Sequence, residues 1–205
     1  MRVAIALLVA ALAAVAAAGC GGSSSTPTTT TASHELAGPT VSQSVPVAPL
    51  KLKNSVGHPI DINDYRGKAV LVTFIYANCP DVCPLIVGNL HTAQKGLGSE
   101  AKKLQIIAVS VDPKGDTPKA VNAFLRDHQM TGRMEYLIGS RPQLEKVWSD
   151  WGIVSRGSPK KNNPDFVEHS AEIVGVSASG RVMTLYPANF RPQQIEHDVP
   201  ILATS

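Results

Sequence analysis

The chain has 205 residues, of which 19 are Lys or Arg and 16 are Asp or Glu, so its formal net charge is only +3 at pH 7. Aromatic residues make up 5% of the chain, and no basic cluster is interleaved with them, so the composition does not indicate a nucleic-acid-binding protein. Three cysteines are present, and their positions are the most informative feature of the sequence.

The first residues have the pattern of an export signal. Arg2 precedes an unbroken apolar run over residues 3–18, and small residues lead to Gly19 and Cys20. The arrangement resembles a bacterial lipoprotein cleavage box, although Ala17 stands where a larger apolar residue is usual. We therefore expect residues 1–19 to be a lipoprotein signal and Cys20 to carry the lipid. The protein is then expected to be exported and anchored to the outer face of the bacterial cell membrane.

Two other interpretations fit the same N-terminal segment. It could be a plain signal peptide followed by an incidental cysteine, or an uncleaved membrane helix. The apolar run is somewhat short and Ala-rich for a membrane span, which disfavours the second interpretation.

The next segment, residues 20–44, consists mostly of Gly, Ser, Thr and Pro and has no hydrophobic periodicity. Such a composition predicts a flexible tether. The remaining residues, 45–205, are enough for one hydrophobic core, so we expect a single domain there.

Within the domain, apolar strands alternate with helical patterns. Residues 50–54 and 59–62 predict a hairpin, and residues 69–77 form a nearly continuous apolar run that is typical of a strand buried on both faces. Further strands are predicted at 104–111, 135–138, 171–177 and 181–186, and helices at 84–97, 118–128, 142–151 and from 192. Thr117, and Ser140 or Arg141, are the expected N-caps before prolines.

This order predicts an α/β fold with a central, mostly parallel sheet, helices on both faces and a late antiparallel hairpin. Cys79 and Cys83 follow directly on the first central strand, at the edge where α/β folds place their chemistry. A dithiol between a strand and a helix near the front of such a domain is typical of the thioredoxin fold, which we therefore predict.

The prolines beside the cysteines predict where the following helix begins. Pro80 and Pro84 each disfavour helical dihedrals in the residue before them, so we expect the helix to begin at Pro84, with Cys83 at its N-cap and Cys79 in the preceding loop. The free N–H groups and the positive dipole end of a helix favour a thiolate. Cys83 is therefore expected to be the poised ligand or nucleophile.

The spacing of the cysteines leaves several interpretations open. Redox enzymes of this fold have two residues between the cysteines, whereas this chain has Pro80-Asp81-Val82. The wider loop can close a disulfide, and it also suits two sulfurs that each lie about 2.3 Å from one metal ion. A structural disulfide is disfavoured, because such disulfides are rarely placed at the functional edge of an α/β sheet.

A histidine before the late strand favours a metal site. In thioredoxin-like folds the segment that enters this strand lies beside the dithiol, and thioredoxins have a cis-proline there, whereas this chain has His169 and Ser170. Two thiolates and an imidazole suit copper. Zinc would accept the same ligands, and a general base for a cysteine nucleophile is the non-metal interpretation of this histidine.

Three blocks of the sequence together resemble the signature of the SCO/SenC family of copper proteins. The blocks are Cys79-Pro-Asp-Val-Cys83-Pro84, then Val109-Ser-Val-Asp112-Pro113 with Asp116-Thr117-Pro118, and Glu168-His169-Ser170. The resemblance covers most of the domain. It implies a thioredoxin-like fold and a copper ion, Cu(I) or Cu(II), bound by two cysteines and a histidine.

The resemblance also implies roles for individual residues. By matching position, Cys79, Cys83 and His169 would be the copper ligands. Asp81 and Asp112 would lie around the site or dock a partner. Glu168 and Asn78 stand where the family usually has Asp and Thr. Neither departure removes one of the three implied copper ligands. We therefore expect both to affect the fine tuning of the copper site rather than copper binding itself.

The implied function is that of a metallochaperone rather than an enzyme. Such a protein delivers copper to, or prepares the thiols of, the binuclear copper site of cytochrome c oxidase. Its partners would be the copper-bearing oxidase subunit and, through the lipid anchor, the membrane, and we expect a monomer. The alternative is a thiol–disulfide oxidoreductase that acts on partner cysteines without a metal. A peroxidase or redox sensor ranks last, because no arginine lies near Cys79 in the sequence.

Overall fold

The computed structural model describes residues 35–157, 167–169 and 171–205. In these residues the strands are β1 (Thr40–Pro46), β2 (Lys51–Asn54), β3 (Pro59–Asp61), β4 (Ala69–Ile75), β5 (Leu104–Ser110), β6 (Glu135–Ile138), β7 (Ser155–Gly157), β8 (Val167–His169), β9 (Ile173–Val176) and β10 (Arg181–Tyr186). The α-helices are α1 (Val82–Gly96), α2 (Pro118–Asp127), α3 (Arg141–Asp150) and α4 (Pro192–Leu202). Short 3₁₀ helices span Ile62–Tyr65 and Gly98–Lys103.

Eight of these strands form one mixed sheet in the order β1-β10-β9-β4-β5-β6-β2-β3, and β7 pairs with β8 in a separate two-stranded sheet. The central strands β4, β5 and β6 are parallel. Strand β9 is antiparallel to β4, and β10 is antiparallel to β9, which is the predicted late hairpin. The predicted α/β fold is therefore confirmed.

Fewer strand pairings are parallel than the prediction of a mostly parallel sheet implies. In the described residues only the β4–β5 and β5–β6 pairings are parallel, while β1, β2, β3, β9 and β10 pair in antiparallel fashion. The reason is that only these parallel pairs are joined by helical crossovers, which parallel neighbours require. The two hairpins extend the sheet on its two sides instead.

The helices cover both faces of the sheet, as predicted. Leu71 of β4 is paired with Gly175 of β9, so their side-chain positions share one face, and a Cβ atom at Gly175 would lie 3.5 Å from Leu202 of α4. Phe74, three residues after Leu71, points to the opposite face, where its ring centroid lies 5.7 Å from that of Trp151, directly after α3. All seven residues of β4 are buried, as a strand covered on both faces requires.

The sheet begins earlier in the chain than the predicted domain start at residue 45. Strand β1 starts at Thr40, inside the predicted tether, and pairs with β10. Just before β1, the N–H groups of Ala37 and Gly38 donate to the buried carboxylate of Asp198 in α4, at 2.7 and 2.9 Å. These partners lie more than a hundred residues away in sequence, so the local composition of residues 35–44 did not indicate them.

Local capping signals predicted the later helices well. Thr117 is the N-cap of α2, and its hydroxyl accepts a hydrogen bond from the Ala120 N–H at 3.2 Å. Ser140 is the N-cap of α3 and forms a capping box with Gln143, directly before Arg141-Pro142. Among the described residues, no helix is both long and apolar enough to cross a membrane.

Candidate metal centre

The two cysteines lie where the sequence predicted them, at the carboxyl end of β4. This strand ends at Ile75, the Cys79 N–H donates to the Tyr76 carbonyl at 3.2 Å in the turn that follows, and α1 begins at Val82. Cys79 is 8% exposed and Cys83 is fully buried. The two are not joined by a disulfide. The dithiol is thus held close to the surface by rigid elements on either side.

The helix begins two residues earlier than predicted. Helix α1 starts at Val82, with Asp81 at the N-cap, so the prediction that Cys83 is the N-cap and Pro84 the first residue is wrong. A proline is tolerated anywhere in the first helical turn, because the N–H groups of that turn have no partner inside the helix. Cys83 is therefore the second residue of the helix, and its own N–H points back toward the loop.

The poised thiol is Cys79 rather than Cys83, which corrects the prediction. The Cys83 N–H donates to Cys79 Sγ at 3.4 Å, so the sulfur of Cys79 caps the start of α1. A hydrogen bond from the Cys83 thiol, followed by the backbone N–H groups of Asp81 and Cys83, lowers the pKa of Cys79 to about 5 against the opposing effect of burial. The same thiol–thiolate contact, together with burial, raises the pKa of Cys83.

The side chain of His169 lies outside the described residues, but its backbone is placed. His169 in β8 is paired with Ser155 in β7. The Ser155 hydroxyl donates to the Val111 carbonyl at 3.2 Å, and the Val111 N–H donates to the carbonyl of Ile75, the last residue of β4, at 3.0 Å. This chain of contacts brings the backbone of His169 to the same edge of the sheet as the dithiol.

The described side chains alone do not complete a metal site. They include no group of three or more His, Cys, Asp or Glu residues arranged around one point. Two buried thiol sulfurs are donors that suit soft metal ions, and thiolate binding releases the proton that each thiol carries. The chemistry of this donor set fits copper or zinc, with a further ligand required from a segment such as β8.

Asp81 and Asp112 both lie close to the cysteines in the structure. Asp81 is exposed, and its side chain makes no capping hydrogen bond although it occupies the N-cap of α1. Asp112 follows β5 and accepts a hydrogen bond from the Lys114 N–H at 3.1 Å. A Cβ atom on Gly115 would collide with the Asp112 carboxylate and lie 3.3 Å from Asn78 Nδ2, so the loop after β5 packs against the residue that precedes Cys79.

Asp116 is the residue at this site whose role the sequence did not reveal. We would expect an Asp before Thr117-Pro118 to help begin α2, but its side chain turns inward and is only 4% exposed. One carboxylate oxygen accepts the Ala77 N–H at 2.7 Å, and the other accepts the Tyr136 hydroxyl at 3.0 Å. The only sequence signal was the proximity of its motif to the predicted site, because the direction of its side chain depends on contacts from β4 and β6.

Burial and hydrogen bonding act in opposite directions on this carboxyl group. Burial raises the pKa of Asp116 to about 6, against the lowering effect of hydrogen bonds from Ser110, Ala77 and Tyr136. The carboxylate in turn adds to the effect of burial in raising the pKa of Tyr136 well above its usual value, so that this hydroxyl stays protonated as a donor. The segment that leads to Cys79 is therefore bonded to a buried acidic group.

Comparison with known proteins shows the family. Residues 40–203 match the family model described as SCO1/SenC. The SCO1 protein homolog of Bacillus subtilis is 28% identical over 144 residues, which are 68% of this chain and 72% of the relative. The chain spans a smaller part, 52%, of the mitochondrial SCO2 homolog of Bos taurus, to which it is 30% identical over 139 residues.

Solved structures agree with this result. The copper-bound structure of ScoI from Bradyrhizobium japonicum is 25% identical, covers 76% of this chain and 99% of its own, and superposes with a TM-score of 0.68. A structure of BsSco, described as having a disulfide switch and as a member of the Sco family of cytochrome c oxidase assembly proteins, is 25% identical, covers 80% of this chain and 98% of its own, and has a TM-score of 0.63. Because the family model matches residues 40–203 and these structures share the fold, the chain belongs to the SCO1/SenC family.

Proposed function

We propose that this protein is a membrane-anchored, extracytoplasmic copper-binding chaperone. It delivers copper to, or prepares the thiols of, the binuclear copper site of cytochrome c oxidase. The observation on which the proposal rests is the buried pair Cys79 and Cys83 at the carboxyl end of β4, with the backbone of His169 at the same edge of the sheet. Two soft sulfurs together with the imidazole of His169 would form a donor set that suits copper.

The charge at the dithiol supports copper binding. The hydrogen bond from the Cys83 thiol lowers the pKa of Cys79 and so favours its thiolate form. A thiolate rather than a thiol is the form that binds a metal ion. The related Bradyrhizobium protein has been solved with copper bound, and the related BsSco is described as belonging to a family of cytochrome c oxidase assembly proteins.

The sequence before the described residues supports the proposed location. The apolar run that ends at Gly19-Cys20 has the pattern of a lipoprotein signal, and a segment rich in Gly, Ser and Thr follows it. A lipid on Cys20 with such a tether would let the domain reach membrane neighbours. Labelling with a radioactive fatty acid, in wild type and in Cys20→Ser, tests this part of the proposal separately.

Copper binding by ligand variants tests the metal site. We expect the wild-type protein to bind one equivalent of Cu(II) with thiolate-to-copper absorption, and Cys79→Ser, Cys83→Ser and His169→Ala each to weaken this binding strongly. His58→Ala is the matched control, because His58 is an exposed histidine on the hairpin between β2 and β3. A His169→Ala protein with wild-type affinity and an unchanged spectrum would show that the three-ligand site is wrong.

The acidity of Cys79 favours a second candidate function, thiol–disulfide exchange with a partner. A thiolate next to a protonated thiol can attack a partner disulfide, and the second sulfur can then displace the partner thiol. This function needs no histidine. Reduction of the oxidase subunit's disulfide by the copper-free protein, at a rate that His169→Ala leaves unchanged, would favour this candidate over copper delivery.

A further inference from the structure

The buried carboxylate of Asp116 is joined directly to the segment that carries the first cysteine. Its bond to the Ala77 N–H is 2.7 Å long and fixes the backbone two residues before Cys79. Its other oxygen is held by the Tyr136 hydroxyl, which also lies 3.3 Å from the Ile75 carbonyl at the end of β4. Asp116 therefore ties the strand end, the start of the cysteine loop and β6 together.

Among the residues that the structure describes, the donors to this carboxylate are all neutral groups. They are the Ala77 N–H, the Tyr136 hydroxyl and the Ser110 side chain. None of the ion pairs formed among described residues includes Asp116. A buried carboxylate without a cationic partner is costly, and such groups are normally paired or close to a metal ion. The bond to the Ala77 N–H places this carboxylate beside the segment that leads to Cys79.

We propose that Asp116 is a positioning residue of the copper site, which holds the backbone before Cys79 and places a negative charge beside the cysteine loop that favours Cu(II) over Cu(I). This inference rests on the proposed copper-binding function. The residue acts through the backbone and through its charge, and it is not a ligand.

The preference for Cu(II) follows from the charges of the two forms. Two thiolates with Cu(II) have no net charge, whereas two thiolates with Cu(I) have a net charge of −1. A neighbouring carboxylate repels the second form and leaves the first almost unaffected. Because the region is buried, solvent screens this repulsion less than at a protein surface.

An Asp116→Asn substitution separates the charge from the hydrogen bonds. The side-chain carbonyl of Asn can still accept from the Ala77 N–H. Its amide can donate to the Tyr136 oxygen, whose own proton can turn to the Ile75 carbonyl 3.3 Å away. An Asp116→Ala substitution instead removes both the charge and the bond to Ala77.

The test measures the affinities for Cu(II) and Cu(I) by competition with chelators in wild type and Asp116→Asn. We expect the ratio of Cu(II) affinity to Cu(I) affinity to fall on the order of tenfold in Asp116→Asn, from the loss of one nearby unit charge. Asp198→Asn is the control for the removal of a buried carboxylate, and Asp127→Asn on the exposed end of α2 is the control for charge alone. Both controls should leave the ratio unchanged. An unchanged ratio in a folded Asp116→Asn protein overturns the inference.

A measurement on the copper-free protein tests the positioning role. Hydrogen exchange of the Ala77 amide should be at least tenfold faster in Asp116→Ala than in wild type, since its acceptor is gone, and close to wild type in Asp116→Asn. Equal exchange in all three proteins refutes this role. The two proposals fail in different ways. A wild-type protein without copper affinity refutes the proposed function. Copper affinities that do not change when Asp116 is substituted refute only this inference.

Discussion

Asp116 and Asp198 have closely similar hydrogen-bond partners in two different regions of the molecule. Asp116 accepts from a backbone N–H and the Tyr136 hydroxyl, and Asp198 accepts from two backbone N–H groups and, at 2.7 Å, from the Tyr186 hydroxyl. Asp198 also has a basic neighbour, since His197 Nδ1 lies 2.7 Å from its carboxylate. Asp116 has only neutral donors within the described part of the chain, and it is bonded to the segment that leads to Cys79.

The difference indicates what each carboxylate does. Asp198 joins the residues before β1 to α4 and β10, so its interactions close the edge of the sheet where the chain enters the domain. Asp116 joins the loop after β5 to the cysteine loop, where an uncompensated negative charge can act on a bound cation. The same local chemistry is thus structural in one region and, in our proposal, functional in the other.

The largest expected effect that separates the two regions comes from Asp198→Ala. This substitution leaves two backbone N–H groups and a tyrosine hydroxyl without their acceptor, and we expect a loss of about 3 kcal/mol in the free energy of unfolding. Urea denaturation of the copper-free protein measures it. Copper affinity below the unfolding transition should match that of wild type. A large loss of copper affinity in the folded variant would contradict the separation of the two regions.

A pH series should distinguish Asp116 next. Its folded-state pKa of about 6 lies above the ordinary aspartate value of 3.8, so the native state binds more protons between these values and its stability falls as pH rises through this window. Above pH 6 the cost is nearly complete, on the order of 3 kcal/mol. Asp116→Asn cannot show this loss, so the stability of this variant relative to wild type should rise from pH 4 to pH 6 and then stay constant.

Denaturation of wild type and Asp116→Asn at each pH, with copper absent, checks this expectation. A difference between the two proteins that stays constant from pH 4 to pH 7 would show that burial does not affect the Asp116 carboxyl group as described.

The smallest expected effects come from removing the tyrosine hydroxyls. Tyr136→Phe and Tyr186→Phe each remove one donor to a buried carboxylate, at a cost of about 1 kcal/mol. The cost of Tyr136→Phe should be greater at pH 7 than at pH 5, because Asp116 is then ionised and has no cationic neighbour among the described residues. Thermal denaturation at both pH values measures this difference. Equal costs at pH 5 and pH 7 would contradict the proposed difference between Asp116 and Asp198.

Much of the fold could be predicted from the sequence. The apolar run that became β4, the hairpin of β2 and β3, and the N-caps Thr117 and Ser140 all depend on local patterns, namely side-chain alternation, proline position and capping chemistry. The position of the dithiol after β4 followed from the same patterns. Strand β1 did not, since its residues are mostly polar and pair with β10 far away in the sequence.

The candidate site was predicted in part. The identities and order of Cys79, Cys83, Asp81 and Asp112 were visible, and the structure places all four at the same edge of the sheet. The more acidic cysteine was not predictable, because the pKa values depend on which sulfur accepts the hydrogen bonds at the start of α1. The roles of these cysteines and of His169 as copper ligands remain predictions.

The sequence by itself determined most of the helices and central strands, their order and the presence of a dithiol at a strand end, because these depend on the chemistry of neighbouring residues. Only the tertiary structure decided that most pairings in the large sheet are antiparallel, that Cys79 is the more acidic thiol, and that the Asp116 side chain turns inward toward the cysteine loop. These features depend on contacts between segments distant in sequence, whose geometry arises only when β4, β5 and β6 pack together.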